Sequence, residues 1–418
     1  MKILLAQNLI HLPSHGGANR SNRIMLEQLA ARGHTCHAVT PLTGALATAG
    51  PEQQLEALRS RGAVIKEING QTAVYTYRGV TVHAVLSASL LPSVIRAVAS
   101  DLGPDRTLVP SDDPGHIVMS AALRATPGRV VHMVHTLQQL PYGPEAFYPS
   151  AAGTALLREA AGTIAVSQAA RRYVRDHAGI EATVIYPQVY GEQPTPTSAR
   201  FGQGSVTMVN PCGYKGLAIL LGLADLRPDL EFLAVPTWGA VPEDLASLRA
   251  RPNVSITDPV DDIDEIFVRT NVLLMPSLWG ETFGYTCVEA MLRGIPVLAS
   301  SIAGLLEAKL GVPGSLPVHP ITGYANDVRQ DRPVPTIPIQ DIGPWAAALD
   351  RLRTDEEHYA AISTASHEAA GSFVAGIDVG ALEGYLSDLP FNRDAAIRAL
   401  AARRRAARSV TTSTPEGS

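Results

Sequence analysis

Hydrophobic positions along the chain come in two rhythms. Short apolar runs alternate with longer stretches in which apolar side chains recur at helical spacing. This is the pattern of buried parallel strands separated by amphipathic helices. Lys2–Ile10 reads as the first strand. A glycine-containing loop follows, then a helix to Arg32 with Asn19 or Ser21 as its cap, and Thr35–Thr40 returns as a strand. Pro51–Ser60 reads as a short helix, Ala73–Val85 as a hairpin and Leu91–Ala99 as a helix capped by Ser89. Arg106–Pro110, Arg129–His135, Thr163–Ser167 and Ala182–Tyr186 are strands, with helices over His116–Arg124 and Gln168–Ala178.

Gly191–Gly204 is rich in Pro, Gly, Ser and Thr and reads as a linker. The alternation then restarts. Strands are expected at Val206–Asn210, Leu230–Pro236, Val254–Thr257, Asn271–Met275 and Ile295–Ala299. Helices are expected at Leu217–Leu226, Pro242–Ala250, Asp262–Thr270 and Gly284–Arg293. Beyond the proline-rich, irregular Pro320–Pro338, four more helices are predicted: Pro344–Arg353, Glu356–Phe373, Asp378–Ser387 and Arg393–Arg408. The expected fold class is α/β, with two Rossmann-like domains. The boundaries are 1–192 and 205–375 around a linker at 193–204, with C-terminal helices at 376–408 and a disordered tail at 409–418. Ligand loops in such folds lie at strand carboxyl ends, hence in the cleft between the domains.

Composition narrows this picture. A chain of 418 residues exceeds what one core supports, in keeping with two domains. With 46% hydrophobic and 17% charged residues and a formal net charge of −5, nothing points to a nucleic-acid partner. No apolar run is long enough for membrane insertion, and MKILLAQNLI reads as a strand rather than a leader. The three cysteines, Cys36, Cys212 and Cys287, fit buried thiols in a reducing cytoplasm, the expected location. Only Lys2, Lys66, Lys215 and Lys309 are lysines. That bias goes with a high-GC bacterial genome, and it makes each lysine notable as a compact point charge.

The chemistry concentrates in Asn271–Ser300. Glu281 lies in a loop at the carboxyl end of a strand, and Glu289 lies in the helix that follows. The amides of Thr282, Phe283 and Gly284 lead into the helix start, where the macrodipole favours an anion. Carboxylates beside an anion site suit a ligand that is both phosphorylated and rich in hydroxyls, such as a nucleotide sugar. The bland alternative is a solvated loop residue and a water-facing helix residue. Gly16 and Gly17 follow the first strand, where backbone can approach a phosphate or simply turn. His135 ends its strand beside other strand-end loops, where a merely packed histidine is the alternative.

These residues together resemble the family 4 glycosyltransferases, retaining enzymes of the GT-B fold. GETFGYTCVEAMLRGIPVLAS followed by AGLLE resembles that family's carboxyl-domain motif, with its Glu-x7-Glu spacing. LPSHGGANR, VHMVHTLQQLP, IAVSQAARRYV, VIYPQVYG and VNPCGYKG resemble further family segments, so the likeness spans roughly residues 1–390. The resemblance implies that Glu281 binds donor-sugar hydroxyls with amides near Phe283 and Gly284. It implies that Glu289 binds the ribose, that Lys215 neutralises the diphosphate and that Gly17 approaches the distal phosphate. His135 would sit beside the transferred sugar. It further implies front-face attack with the leaving phosphate taking the acceptor proton, no cofactor, no metal, and C-terminal helices that cross back to the first domain. Asp112 and Asp113 are the one pair that argues for a metal.

One position departs from the pattern. The family's phosphate arginine, five residues before the lysine, is Asn210 here. Arg20 or Arg23 would then supply the missing charge, or Lys215 and backbone amides would suffice. Trp238 also stands where the family often carries a Gly-x-Gly loop. The expected partners are a UDP- or GDP-linked sugar donor and a small polar acceptor chosen by loops around His11–Asn19, Asp112–His116 and Gln138–Tyr148, with a homodimer compatible. A specialised-metabolite or low-molecular-weight-thiol pathway fits the composition. The alternatives are a nucleotide-sugar epimerase or hydrolase on the same fold, and a non-catalytic nucleotide-sugar-binding protein.

Overall fold

A computed structural model describes residues 1–14, 16–43, 50–191, 193, 195–325, 333–398 and 401. The amino-terminal half runs β1 (Lys2–Ala6), α1 (Gly17–Ala31), β2 (Thr35–Pro41), α2 (Pro51–Ser60), β3 (Val64–Ile68), β4 (Thr72–Tyr77), β5 (Val80–Val85) and α3 (Leu91–Leu102). It continues with β6 (Arg106–Pro110), α4 (Ile117–Ala125), β7 (Val130–Val134), α5 (Ala151–Leu157), β8 (Gly162–Ala165), α6 (Gln168–Ala178) and β9 (Thr183–Val184). Among the described residues these strands form one sheet in the order β3-β4-β5-β2-β1-β6-β7-β8-β9. From β5 to β9 neighbouring strands pair in parallel, and β3 and β4 add an antiparallel edge.

The second half runs β10 (Ser205–Val209), α7 (Leu217–Leu226), β11 (Phe232–Val235), α8 (Pro242–Arg249), β12 (Val254–Ile256), α9 (Asp264–Phe267), β13 (Thr270–Met275), α10 (Tyr285–Leu292), β14 (Val297–Ser300), α11 (Ala303–Ala308) and β15 (Ser315–Leu316). Its sheet, order β12-β11-β10-β13-β14-β15, is parallel throughout. A two-stranded ribbon of β16 (Tyr324–Ala325) and β17 (Val334–Pro335) interrupts the segment expected to be irregular. Then follow α12 (Gly343–Thr354), α13 (Glu356–Ala375) and α14 (Ala381–Asp388). Residues 192 and 194 of the expected linker, and the expected tail at 409–418, lie outside the described residues. The expected last helix is described at 393–398 and 401. Among the described residues no helix is long and apolar enough to cross a membrane.

In its parallel part each sheet reverses strand order once, between β1 and β6 in the first and between β10 and β13 in the second. Crossovers leave those points in opposite directions, so loops splay apart and open a crevice at the strand carboxyl ends. The loops after β1, β6, β10 and β13 are therefore where a ligand fits.

Several boundaries differ from the sequence reading for tertiary reasons. The helix expected over Asp262–Thr270 holds only Asp264–Phe267, because Thr270 already pairs with Ser205 in the β10–β13 ladder. Helix α1 starts at Gly17, so Asn19 is its third residue, and its side chain accepts the Gly16 N–H at 3.0 Å from inside the helix. Ser21 lies buried further along, and Ser89 belongs to a short 3-10 turn rather than capping α3.

Helix α14 does cross back. Leu382 and Leu386 of α14 are buried in the core of the first sheet with Ile3, Leu5 and Leu108. Arg106 donates to the Leu386 carbonyl at 2.8 Å, and Glu383 takes Arg32 at 2.8 Å and His34 at 2.9 Å. The buried leucines outweigh these partly exposed ion pairs. Leu386→Ala is expected to cost about 2–5 kcal/mol in urea unfolding. Leu306→Ala, at a half-exposed position of α11, should stay within about 0.5 kcal/mol.

Candidate active site

The loop after β13 carries the acidic residues. Glu281 Oε1 pairs with Lys215 Nζ, and Ser277 Oγ also donates to it. Burial favours the neutral acid, but the Lys215 ammonium and these hydrogen bonds outweigh it and hold the carboxyl below the usual range. Glu281 is thus a carboxylate that accepts hydrogen bonds, not an acid that donates a proton. Lys215 lies 4.4 Å from the Trp279 ring centroid, and the Trp238 indole stacks on Trp279 at 5.7 Å. Lysine here sits in a short turn after β10 that ends at Gly216. Gly216 has φ +83°, and a Cβ there would lie 2.0 Å from the Pro276 carbonyl oxygen. Only glycine lets the two loops approach this closely.

Gly284 precedes α10 with φ +122°, and a side chain there would press on Leu305. Thr282 is buried, and Phe283 turns into the core against Tyr186 and Phe373. Glu289, on α10, faces back toward the cleft, where Arg20 of α1 reaches it at 2.5 Å and also donates to the Val189 carbonyl at 2.9 Å. Arg23 instead serves Ser14 and Glu27 within its own domain. Of the two arginines considered for the missing charge, only Arg20 enters the cleft between the domains. Gly17 opens α1 against the Tyr285 ring, which a Cβ would meet at 3.2 Å. Gly16 is the N-cap of that helix.

Asn210 follows β10 with φ +60°, a conformation asparagine tolerates better than most residues. Its Oδ1 accepts the Gly239 N–H at 2.9 Å, which pins the loop bearing Trp238. Its Nδ2 is buried with no protein partner. Of the rare lysines, Lys309 is buried behind the site, where Nζ donates to the Val297 carbonyl at 2.7 Å. Burial holds its ammonium below the usual lysine range.

On the facing sheet, His135 lies just past the end of β7. Its N–H is held by Ser111 Oγ at 2.9 Å, but neither ring nitrogen has a protein partner. Burial first, then the nearby His132, lowers its pKa to about 3, so the ring is neutral. It therefore has one donor and one acceptor unused. His11, in the loop after β1, is likewise buried, with both ring nitrogens unpartnered and its pKa lowered to about 3. Asp112 accepts the Asn8 and Leu9 amides, and Asp113 accepts those of Ile117 and Met119. These carboxylates hold loops together, and among the described residues no group of three or more His, Cys, Asp or Glu side chains is placed to bind a metal.

Contacts between the domains join the two halves of the site, and most had no role in the sequence reading. Glu307 of α11 accepts the Gln168 and Ala169 amides at 2.9 and 2.8 Å, at the N-terminus of α6, and the Tyr186 hydroxyl at 2.6 Å. Ser167, the N-cap of α6, accepts from Ala170 and donates to the Thr282 carbonyl at 2.5 Å. A serine before a helix at a strand's carboxyl end is visible in sequence, but its partner in the other domain is not.

The family model described as Glycosyltransferase Family 4 matches residues 15–189, and that described as Glycosyl transferases group 1 matches residues 215–329. D-inositol 3-phosphate glycosyltransferase of Streptomyces scabiei is 33% identical over 150 residues, 32% of this chain and 32% of that protein. An exopolysaccharide phosphotransferase of Streptomyces coelicolor is 25% identical over 150 residues, 36% of this chain and 14% of that protein. The matches thus span at most about a third of the length of these curated relatives. Among solved structures, Anabaena HepE in complex with UDP and glucose superposes with a TM-score of 0.62 at 19% identity, covering 93% of this chain and 98% of that one. The two family models together match well over half of the chain, in the order its two sheets fold, and the chain belongs to the glycosyltransferases that they describe, built on the two-domain GT-B frame.

Proposed function

We propose that the protein is a retaining glycosyltransferase that moves a sugar from a nucleoside-diphosphate sugar, UDP-linked by preference over GDP-linked, to a small polar acceptor. The observation that carries this is the pair of carboxylates flanking the start of α10 at the strand-order switch point, each held by a cation: Glu281 by Lys215 and Glu289 by Arg20. A diphosphate between them would take up N–H groups of both cations and of the helix start. The carboxylates would accept hydroxyls, Glu281 from the sugar and Glu289 from the ribose. Gly16 and Gly17, with Thr282, Phe283 and Gly284, line the approach to the phosphates. Arg20 is the replacement for the arginine absent at Asn210, while Asn210 shapes the Trp238 loop. HepE, which is known in complex with UDP and glucose, supports the UDP-linked donor.

His135 is the group for the transferred sugar. A neutral imidazole without a protein partner can donate to one hydroxyl and accept from another. The acceptor hydroxyl attacks the anomeric carbon from the face the diphosphate leaves. The C–O bond to phosphate breaks with its electron pair on the diphosphate oxygen, and that oxygen takes the acceptor's proton. Lys215 and Arg20 stabilise the departing charge, so no dedicated base is needed. The acceptor lies against the loops after β1, β6 and β7. The inositol phosphate in the name of the Streptomyces relative supports a small hydroxyl-rich acceptor, in specialised-metabolite or low-molecular-weight-thiol synthesis.

Thermal shift with UDP-, GDP- and TDP-sugars, followed by mass spectrometry with candidate polyol acceptors, tests the reading. UDP-glucose should raise the midpoint, and nucleotide release should require an acceptor. Release without one would favour a hydrolase. Glu281→Gln keeps an acceptor facing Lys215 and should lower turnover by about 10²-fold or more with unfolding little changed. Full activity of that variant on the same substrates would sink the assignment.

The buried rings set a pH dependence. His11, His132 and His135 titrate at about 3, 4 and 3 when folded, against 6.5 for an ordinary histidine. Below pH 6.5 the unfolded chain binds protons that the folded chain refuses. The stability present above that pH is therefore lost as pH falls toward 4, by about 1.4 kcal/mol per pH unit for each ring. Urea unfolding between pH 5 and 6 should show this slope, which fades by pH 7, and His135→Gln should reduce it by one ring's share.

A further inference from the structure

Glu281 does not set its own position. The residues on either side of it are bound by the opposite domain. Gly280 N–H donates to Glu145 Oε2 at 3.0 Å, and the Gly280 carbonyl accepts from Gln138 Nε2 at 3.1 Å. Gln138 Nε2 also donates to Glu145 Oε2 at 2.9 Å, which closes the three groups into a ring. On the other flank the Thr282 carbonyl accepts from Ser167 Oγ, while the Glu281 carbonyl is held at 2.8 Å by Gly304 N–H of its own domain. A Cβ on Gly280 would lie 2.8 Å from Glu145 Oε1, so the contact needs glycine here.

The segment that supplies Glu145 is braced at both ends. Within its own domain the Glu145 N–H donates to the Tyr173 hydroxyl at 3.0 Å, which donates in turn to the Tyr142 carbonyl. Toward the other domain, Phe147 packs among Tyr324, Tyr214 and Trp279, with ring centroids 4.8, 6.0 and 6.3 Å away. Tyr214 immediately precedes Lys215, and Trp279 immediately precedes Gly280. One segment of the acceptor-side domain therefore touches the chain next to both members of the Lys215–Glu281 pair. A carboxylate accepting a backbone N–H is a strong, directional hold.

We propose that Glu145, together with Gln138, is a positioning pair for Glu281. It aligns the loop so that the sugar end of the donor is bound only when the two domains are closed, while the nucleotide end relies on Lys215 and Glu289. This rests on the reading of Glu281 as the sugar-binding carboxylate. Placement of the 137–148 segment, and hence anything an acceptor does to it, then controls whether a bound donor can react.

Glu145→Ala, Glu145→Gln and Glu281→Gln, compared with the wild-type chain, test the proposal. In calorimetry, Glu145→Ala should bind UDP within about twofold of wild type but lose about tenfold in affinity for UDP-glucose, a change of about 1.4 kcal/mol. A purely structural defect would weaken both ligands together. Amide hydrogen exchange across 278–286 should quicken in Glu145→Ala, and Glu145→Gln, which keeps an acceptor oxygen for Gly280, should restore both readouts. UDP-glucose affinity unchanged in Glu145→Ala, equal weakening of the two ligands, or unchanged exchange overturns the inference. If Glu281→Gln leaves the preference for UDP-glucose over UDP intact, the sugar-binding reading itself fails and the inference falls with it. If Glu281→Gln abolishes that preference and Glu145→Ala does not, the inference alone is wrong.

Discussion

The carboxylate of Glu307 on the N-terminus of α6 is the interaction on which the site depends. A helix start leaves amides without intrahelical partners and carries partial positive charge. Here those amides belong to one domain and the anion that satisfies them to the other. Because α11 also holds the Glu281 carbonyl through Gly304, docking Glu307 brings the acidic loop against the amino-terminal domain. Ser167 completes the join by capping α6 and bonding Thr282 at once. Opening the domains would expose two amides, a carboxylate and a tyrosine hydroxyl to water. That exchange costs little net, so this junction is suited to repeated opening and closing.

Within that frame, the charges that flank the start of α10 are paired with one another. Lys215 faces Glu281 and Arg20 faces Glu289, so neither carboxylate is left as an isolated buried charge. The histidines of the opposite wall take the other course. Buried without carboxylate partners, they stay neutral and keep their hydrogen-bonding capacity. The part of the crevice around the start of α10 is thus ionic, and the part lined by His11 and His135 is polar but uncharged. That division suits a ligand with a diphosphate at one end and hydroxyls at the other.

Much of the fold is legible in the sequence because parallel strands and amphipathic helices each leave a periodic trace. The helices Pro51–Ser60, Gln168–Ala178 and Leu217–Leu226 and the strand Arg106–Pro110 lie where periodicity and end signals place them. The failures share a cause. Thr270 joins a ladder with a strand far away in sequence, which truncates the helix written before it. Strand β3, at Val64–Ile68, forms as the sheet edge and is mostly exposed, so no apolar run announces it. Asn19 accepts the amide of Gly16, the N-cap of α1, from the third position of the helix rather than preceding it.

The amino-acid sequence by itself determined the two α/β alternations, the strand-end loops and the residues of unusual chemistry within them: Glu281, Glu289, Lys215, His135 and the Gly16–Gly17 pair. Those features rest on local spacing, and local spacing survives in one dimension. Only the tertiary structure decided which cation meets which carboxylate, that Arg20 and not Arg23 enters the cleft, and that Asn210 braces a loop. It alone decided that Glu145, Gln138, Ser167 and Glu307 bind the two domains around Glu281. Most of these pairs join residues more than a hundred positions apart, and the rest turn on how two loops meet or which way a helix face points. Hydrogen bonds and ion pairs act over a few ångströms, and only the folded packing of both sheets brings such groups within that range.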